Sequence, residues 1–360
     1  MQELETVTYE TGDRIARITL NRPERGNGIV PRMPREVAAC VERANLDPAV
    51  HAIALAGAGS GFCGGYDLVA SAEGDMSGLG ESVTVGDAGD GPHGAPAAAA
   101  QPGSPTAQPG SPIAPPGSPT APPGSPAATP PLVASAATPS PGSPLDPATI
   151  AANHAPESNW DPVTDFQFMW RNVRGFMSLF HSEKPVICKV HGYCVAGGTD
   201  MALCSDMLVV ADDAKIGYPP ARVWGSPTTA LWAARVGPMR AKRLLLTGDS
   251  LNGEQAAEWG LATEAPPPEQ LDERFEALLE RVARLPINQL VMMKMLVNQS
   301  LYAQGLHQTQ LLGTFFDGVA RHTEEGHGFV RRAAEDGFKE AVRERDEPFG
   351  DHGLRGFGVE

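Results

Sequence analysis

Apolar and polar positions change period twice within the first sixty residues. Arg14-Ile15-Ala16-Arg17-Ile18-Thr19-Leu20 alternates and predicts a strand. Pro34 to Asn45 places Val37, Cys40, Val41 and Ala44 at helical spacing, with Pro34 suited to a helix start. Ala52-Ile53-Ala54-Leu55-Ala56 is an unbroken apolar run of the kind a buried strand carries, and it leads into Phe62-Cys63-Gly64-Gly65-Tyr66-Asp67-Leu68. The succession then repeats. Phe166, Met169, Trp170, Val173 and Met177 are spaced for a helix over 166–180, and Pro185 to Val190 predicts a second buried strand. A second glycine turn follows, Ala196-Gly197-Gly198-Thr199-Asp200, then a strand over Met207 to Ala211. Beyond about Pro268 the pattern is helical almost throughout.

Between the two halves the periodicity fails. From about Ser71 to Pro144 the chain is rich in Pro, Gly, Ser and Ala, with four consecutive heptapeptides over 101–128, each built on Pro-Gly-Ser-Pro. Proline removes backbone donors and glycine adds chain entropy, so disorder or loose polyproline II is expected. An expanded surface loop explains it, because loop closure costs grow only logarithmically with length; a ligand for a proline-recognising domain is the alternative. Order is expected to resume near Leu145. Residues 1–71 and 145–268 are thus expected to form one core, 72–144 an insertion, and 269–360 a C-terminal helical region.

Composition narrows the chemistry. A hydrophobic content of 41% suffices for a core, and a formal charge of −15 argues against nucleic acid or an anionic membrane as partner. No Lys or Arg occurs from Tyr66 through Trp170, so the insertion is no phosphate-binding tail. Cys40, Cys63, Cys188, Cys194 and Cys204 contain no Cys-x-x-Cys, which indicates neither a disulfide framework nor a zinc site, and no other metal cluster is expected. The acidic N-terminus lacks an apolar h-region, and no apolar run reaches the ~18 residues of a membrane span. A cytoplasmic location is the expectation.

The two glycine turns carry the candidate chemistry. A strand that turns on glycines into a helix leaves N–H groups unpaired. Two such turns meeting at one point would cradle an oxygen that gains negative charge. Alternatively, the glycines serve only chain reversal and close packing.

Taken together, the two segments resemble the signature of the crotonase superfamily, the enoyl-CoA hydratases and isomerases. Its first loop reads roughly Phe-x-(Ala/Gly)-Gly-x-Asp-Leu and its second Gly-x-x-x-Gly-Gly-x-(Glu/Asp)-(Leu/Met)-Ala. Ile18-Thr19-Leu20-Asn21-Arg22-Pro23 with Asn27 is similar to the family's first strand and turn, and Leu245 to Gly248 with Ala256, Ala257 and Trp259-Gly260-Leu261 to its later helical stretch. The resemblance runs from about residue 8 to 350. It implies an α/β fold, a ββα superhelix (spiral) core with a C-terminal helical trimerisation region, assembled as a homotrimer or dimer of trimers. It also implies an acyl-CoA thioester substrate, with coenzyme A carried as part of that substrate and no separate cofactor. The backbone N–H groups of Tyr66 and Gly197 would be the oxyanion donors, and Asp200 the acid/base, although an Asp in the first turn of a helix is also favoured by capping and the helix dipole alone. Arg25 would lie near the CoA phosphates and Gly28 would offer backbone contacts, while Gly64, Asp67 and Leu68 would line the pantetheine and adenine path.

The sequence departs from the family at two places. In Ile216-Gly217-Tyr218-Pro219-Pro220-Ala221 the hydratases' second Glu falls on Pro220, which cannot move a proton, and the isomerases' late Asp falls on Thr228. A hydratase-like lyase with Asp200 as surviving acid/base leads. A double-bond isomerase, an acyl-CoA hydrolase with one carboxylate, and a catalytically silent acyl-CoA-binding oligomer remain alternatives. Tyr218, Arg222 and Thr228 read first as packing or turn residues, with polar help at the site as the alternative, Asp206 as structural, His191 as a core histidine, and His322 and His327 as solvated. Gly59-Ser60-Gly61-Phe62-Cys63-Gly64 has dinucleotide-loop spacing, but the acid such a site needs about 20 residues on would fall in the low-complexity stretch, so the match is coincidental. No Gly-x-Ser-x-Gly elbow supports a Ser–His–Asp triad.

Overall fold

The computed structural model describes residues 1–67, 143 and 146–349. Leu68 and the 72–144 stretch, apart from Ser143, lie outside the described residues. Strands β1 (Gln2–Glu3), β2 (Val7–Gly12) and β3 (Ile15–Leu20) form an antiparallel meander. Its second hairpin closes on Asp13 and Arg14, both at positive φ (52° and 66°), which matches the right-handed strand twist. Helix α1 (Met33–Leu46) buries the predicted stripe of Val37, Cys40, Val41 and Ala44 and returns the chain to β4 (Ala52–Gly57), parallel to β3 from Ile15–Ala52 to Leu20–Gly57.

After the undescribed stretch come α2 (Pro147–His154), α3 (Pro162–His181) and β5 (Val186–Val190), which lies parallel to β4. Asp161 caps α3, its Oδ1 accepting from Val163 N at 2.9 Å. β6 (Tyr193–Val195), α4 (Gly197–Ala202) and β7 (Met207–Val210) follow; β7 completes a sheet ordered β1-β2-β3-β4-β5-β7. A second sheet, β6-β8-β9, uses β8 (Lys215–Gly217) and β9 (Ser250–Leu251), separated by α5 (Trp232–Thr247). The remainder is helical: α6 (Gly253–Glu258), α7 (Leu271–Ala283), α8 (Ile287–Ala303), α9 (Leu306–Arg321), α10 (Glu324–Glu335) and α11 (Phe338–Asp346). The chain thus builds the expected mixed α/β spiral with a helical C-terminal region.

Two buried cations lock the parts together. Lys294 on α8 pairs with Asp206 at 2.8 Å and donates to the carbonyls of Leu179 and Lys184, while Val186 N donates to the same Asp206 oxygen at 2.7 Å. Asp206 is therefore structural, as expected. Arg222, whose side chain is fully buried, donates to Thr247 O, pairs with Asp249 and Asp346, and lies 4.2 Å from the Phe349 ring centroid. It fastens α11 to the turn at Pro219–Arg222. Among the described residues, no helix is long and apolar enough to cross a membrane.

Candidate active site

Both glycine turns leave the carboxyl ends of strands and are stitched to each other. Phe62 N donates to Tyr193 O at 2.9 Å and Val195 N to Cys63 O at 3.0 Å. Asn27, fully buried, braces the first turn: its Nδ2 donates to Ala58 O (2.8 Å) and Gly61 O (3.0 Å), and its Oδ1 accepts from Arg22 N (2.9 Å). Ile29 N then donates to Gly65 O at 2.8 Å, and Asp67 N to Ile29 O at 3.0 Å. A parallel bridge of this kind uses the residues flanking Tyr66, so the Tyr66 N–H points away from Ile29.

In the second turn, Ala196 adopts φ +54°, ψ −128°, and its N–H donates to Gly217 O at 3.1 Å. An L-residue held at positive φ stores strain of about 1–3 kcal/mol, and such strain concentrates at functional sites. It swings the chain so that Gly197 opens α4 with an N–H that has no intrahelical acceptor. Among the described residues, neither the Tyr66 N–H nor the Gly197 N–H has a hydrogen-bond acceptor. The two turns nearly touch. A Cβ on Gly65 would lie 2.8 Å from Ala196 Cβ and 3.5 Å from Gly197 N; one on Gly197 would lie 2.8 Å from the Tyr66 ring. A side chain at Gly65 would crowd Ala196 and the Gly197 N–H, and one at Gly197 would strike the Tyr66 ring.

Asp200, 1% exposed, lies on the first turn of α4. Its Oδ1 accepts from Thr229 Oγ1 (2.9 Å) and Thr229 N (3.1 Å), while its Oδ2 is buried without a partner. Burial, opposed by the Thr229 hydrogen bonds and helped by the charge of Asp317, pushes its pKa up to about 7. Thr228 Oγ1 is likewise buried without a partner. Tyr66 and Tyr218 are both raised well above the usual phenol range, by burial first and then by the charges of Asp200 and Asp317. Tyr218 and Thr228, which the sequence suggests are packing or turn residues, are thus buried around Asp200.

Asp317 and Arg321 on α9 escaped the sequence reading. Asp317, 6% exposed, accepts from Ser226 N at 3.3 Å and pairs with Arg321 at 3.4 Å. Burial raises its pKa, and the Arg321 charge opposes that. Their signal was present as an inverted helix: α9 buries Gln310, Gly313, Thr314, Asp317 and Gly318 and leaves Leu312, Phe315 and Phe316 half exposed.

At the other end of the first turn, Asp67 is an anchor rather than a wall. Its carboxylate takes Arg22 Nη2 and Arg25 Nε, each at 3.1 Å, and Arg25 Nη2 at 3.1 Å. Arg22 also donates to Gly28 O. Gly64 N donates to Gly26 O at 3.0 Å and Gly28 N to Arg25 O at 3.0 Å, so these glycines shape the arginine turn. The Arg25 side chain is about one-third exposed, which keeps a cation at the surface beside Gly64, itself exposed. Arg22 is the addition the structure makes to this group.

The histidine expectations divide. His191 is half buried, with Nε2 2.9 Å from Gly59 O. His322 is not solvated: its side chain is 7% exposed, stacks on Trp160 at 4.7 Å, and faces Gly318 O and Asn153 O with its two nitrogens. His327 is half buried against it. These contacts come from α2 and the segment after it, which sequence periodicity alone cannot bring to α9. His154, Asp165 and His322 lie close enough to suggest a metal site. Asp165, however, already accepts from Arg321, His154 and Trp160 Nε1, so both its oxygens are engaged within the protein. Burial pushes Asp165 up, but His154 and Arg321 outweigh it and hold it below its ordinary value. The group is a hydrogen-bonded clasp.

The sequence profile of enoyl-CoA hydratase/isomerase matches residues 10–83 and 161–335. A crystal structure of enoyl-CoA hydratase from Mycobacterium smegmatis is 47% identical, covers 99% of this chain and 98% of its own, and superposes with a TM-score of 0.77. A Mycobacterium tuberculosis protein provisionally named enoyl-CoA hydratase EchA13 is 25% identical over 84% of this chain and 77% of its own. The crotonyl-CoA hydratase of Syntrophomonas wolfei is 35% identical over a shorter stretch, 28% of this chain and 40% of that protein.

Proposed function

From the premise that this chain belongs to the enoyl-CoA hydratase/isomerase family, we propose that it adds water to, or removes it from, an acyl-CoA thioester. The observation that carries this reading is the pair of unpartnered N–H groups, Tyr66 and Gly197, on turns that nearly touch beside a buried acid. A thioester oxygen accepting from both gains stabilisation as its carbonyl becomes an enolate; losing one such donor in other enzymes costs about 10²–10³ in turnover. Asp200 Oδ2, unpartnered, is free to give or take the proton at C2, and a pKa near 7 suits it to do both near neutral pH. Arg25 and Arg22, pinned by Asp67, would hold the CoA phosphates, with Gly28 and Gly64 letting the pantetheine approach the backbone and Leu68 continuing that path. Coenzyme A arrives as part of the substrate, and no other cofactor is needed for this step.

Double-bond isomerisation is the second reading, favoured by the proline at position 220. Purified protein offered 2-enoyl-, 3-enoyl- and 3-hydroxyacyl-CoA in ¹⁸O-labelled water separates the possibilities. We expect label at C3 and a loss of at least a hundredfold in kcat for Asp200→Asn. A shifted double bond without added mass would make the chain an isomerase, and release of free CoA a hydrolase. Tight binding without turnover, unchanged by Asp200→Asn, would make it a silent acyl-CoA-binding protein.

The same reading includes self-association as trimers or paired trimers. Its support is the large apolar side chains left exposed among the described residues, Met292, Met295, Leu296 and Val297 on α8 and Phe315 and Phe316 on α9.

A further inference from the structure

Adding water across a double bond requires two proton movements: one group receives a proton from the water that attacks C3, another delivers a proton to C2. Asp200 supplies one, and Pro220 cannot supply the other. The buried face of α9 offers a carboxylate. Gln310, Gly313 and Asp317 recur on that face and run along the segment 226–229. Gln310 Nε2 donates to Thr229 O at 3.0 Å, a Cβ on Gly313 would lie 3.2 Å from Pro227 O, and Ser226 N donates to Asp317 Oδ1 at 3.3 Å. Thr229 in turn holds Asp200 through its N–H and hydroxyl. One four-residue segment therefore carries Asp200 at one end and Asp317 at the other.

Charge balance sets Asp317 apart from an ordinary buried ion pair. Asp165, Asp200 and Asp317 are all buried, and one guanidinium, Arg321, touches two of them. Arg321 feels the charge of Asp317 first and that of Asp165 next, so one guanidinium is shared between two buried carboxylates, with His154 and His322 also lying against Asp165. Burying two carboxylates on one shared guanidinium is costly. The titratable groups whose charges act on Asp317, or on which it acts, are Arg321 on its own helix, Asp165 on α3, His154 on α2, Tyr66 of the first glycine turn, Tyr218 just after β8 and Asp200 on α4.

We propose that Asp317 is the second catalytic carboxylate of this site, a base reaching the reacting water from the C-terminal helix. This rests on the hydratase reading above. The water oxygen bonds to C3 as the C2–C3 double bond opens, its proton goes to the Asp317 carboxylate, and the thioester enolate takes a proton at C2 from the Asp200 carboxyl. Return of the proton from Asp317 to Asp200 closes the cycle, so the net change is one water added.

The test uses the full chain and its Asp317→Asn and Asp317→Glu variants. Hydration of crotonyl-CoA is compared with exchange of the C2 protons of butyryl-CoA in D₂O, which needs the oxyanion donors and Asp200 but no base on water. Asp317→Asn should lower hydration kcat by about a hundredfold or more, within the range of a lost general base, with KM changed less than about threefold. It should flatten the acid limb of the pH–rate profile and reduce exchange by less than about tenfold; Asp317→Glu should restore at least tenfold of the hydration. Hydration within about threefold of wild type in Asp317→Asn, or equal losses of hydration and exchange with a lowered melting temperature, would overturn the assignment and leave the hydratase reading standing. A wild-type chain that exchanges C2 protons but adds no water would overturn both.

Discussion

Helices α7 and α9 have similar lengths and opposite sides turned inward. α7 buries Leu271, Phe275, Leu279, Val282 and Ala283 against the sheet and leaves its charges outside, acidic in the first turn and basic in the last. That arrangement is what hydrophobic burial and the helix dipole both favour. α9 buries Gln310, Thr314 and Asp317 and leaves Phe315 43% and Phe316 50% exposed. A lone helix gains nothing from this orientation. The proposed site and the proposed self-association give each of its faces a use. One helix thus reports on stability, the other on function, and substitutions on each should have different signatures.

The largest expected difference concerns the outer face of α9. Phe315→Glu with Phe316→Glu places two charges on the surface proposed to meet another copy, and sedimentation should show assembly replaced by single chains at micromolar concentration. A wild-type protein that already sediments as a monomer would remove the reason for the inverted helix. On α7, Phe275→Ala deletes a side chain that is 3% exposed. Urea unfolding should register a loss of about 3–5 kcal/mol, the usual cost of opening a core cavity of that size, with kcat retained. A large kcat effect from Phe275→Ala would blur the distinction between the two helices.

The contrast also explains what could be seen in the sequence. Strands β3, β4, β5 and β7 and helices α1 and α3 were legible because each buries apolar residues at its own period. The glycine turns were legible because Gly65 and Gly197 sit where a Cβ would collide with the opposite turn. The first antiparallel pair was not: β2 carries Thr8, Glu10 and Thr11, and its apolar signal is only Val7 and Tyr9. Asp317 and Arg321 were hidden for a different reason. A polar residue in a helical pattern reads as the solvated side, and nothing local says that the partner carboxylate, Asp165, is about 150 positions away. His322 was misread on the same logic, since Trp160 and Asn153 reach it only through tertiary packing.

A pH dependence completes the comparison, and its sign follows from Asp200. Folding raises this acid from an ordinary 3.8 to about 7, with burial as the main cause. Between those values the folded chain keeps a proton that the unfolded chain has released. Stability from this group is therefore full below about pH 4, falls as pH rises toward 7, and is flat above. The span is on the order of 4 kcal/mol at the outside, since about 1.4 kcal/mol accompanies each tenfold change in proton affinity. Asp200→Asn cannot ionise and still accepts from Thr229 through its amide oxygen. Its melting temperature should exceed that of wild type at pH 8, and the gap should close as pH approaches 4. Because the same substitution removes the acid of the proposed site, the variant should be more stable and less active at pH 8, the pairing expected of a polar group held inside for chemistry. Were it less stable than wild type at pH 8, Asp200 would belong with the residues that hold the fold, and the division drawn between α7 and α9 would lose its clearest support within the core.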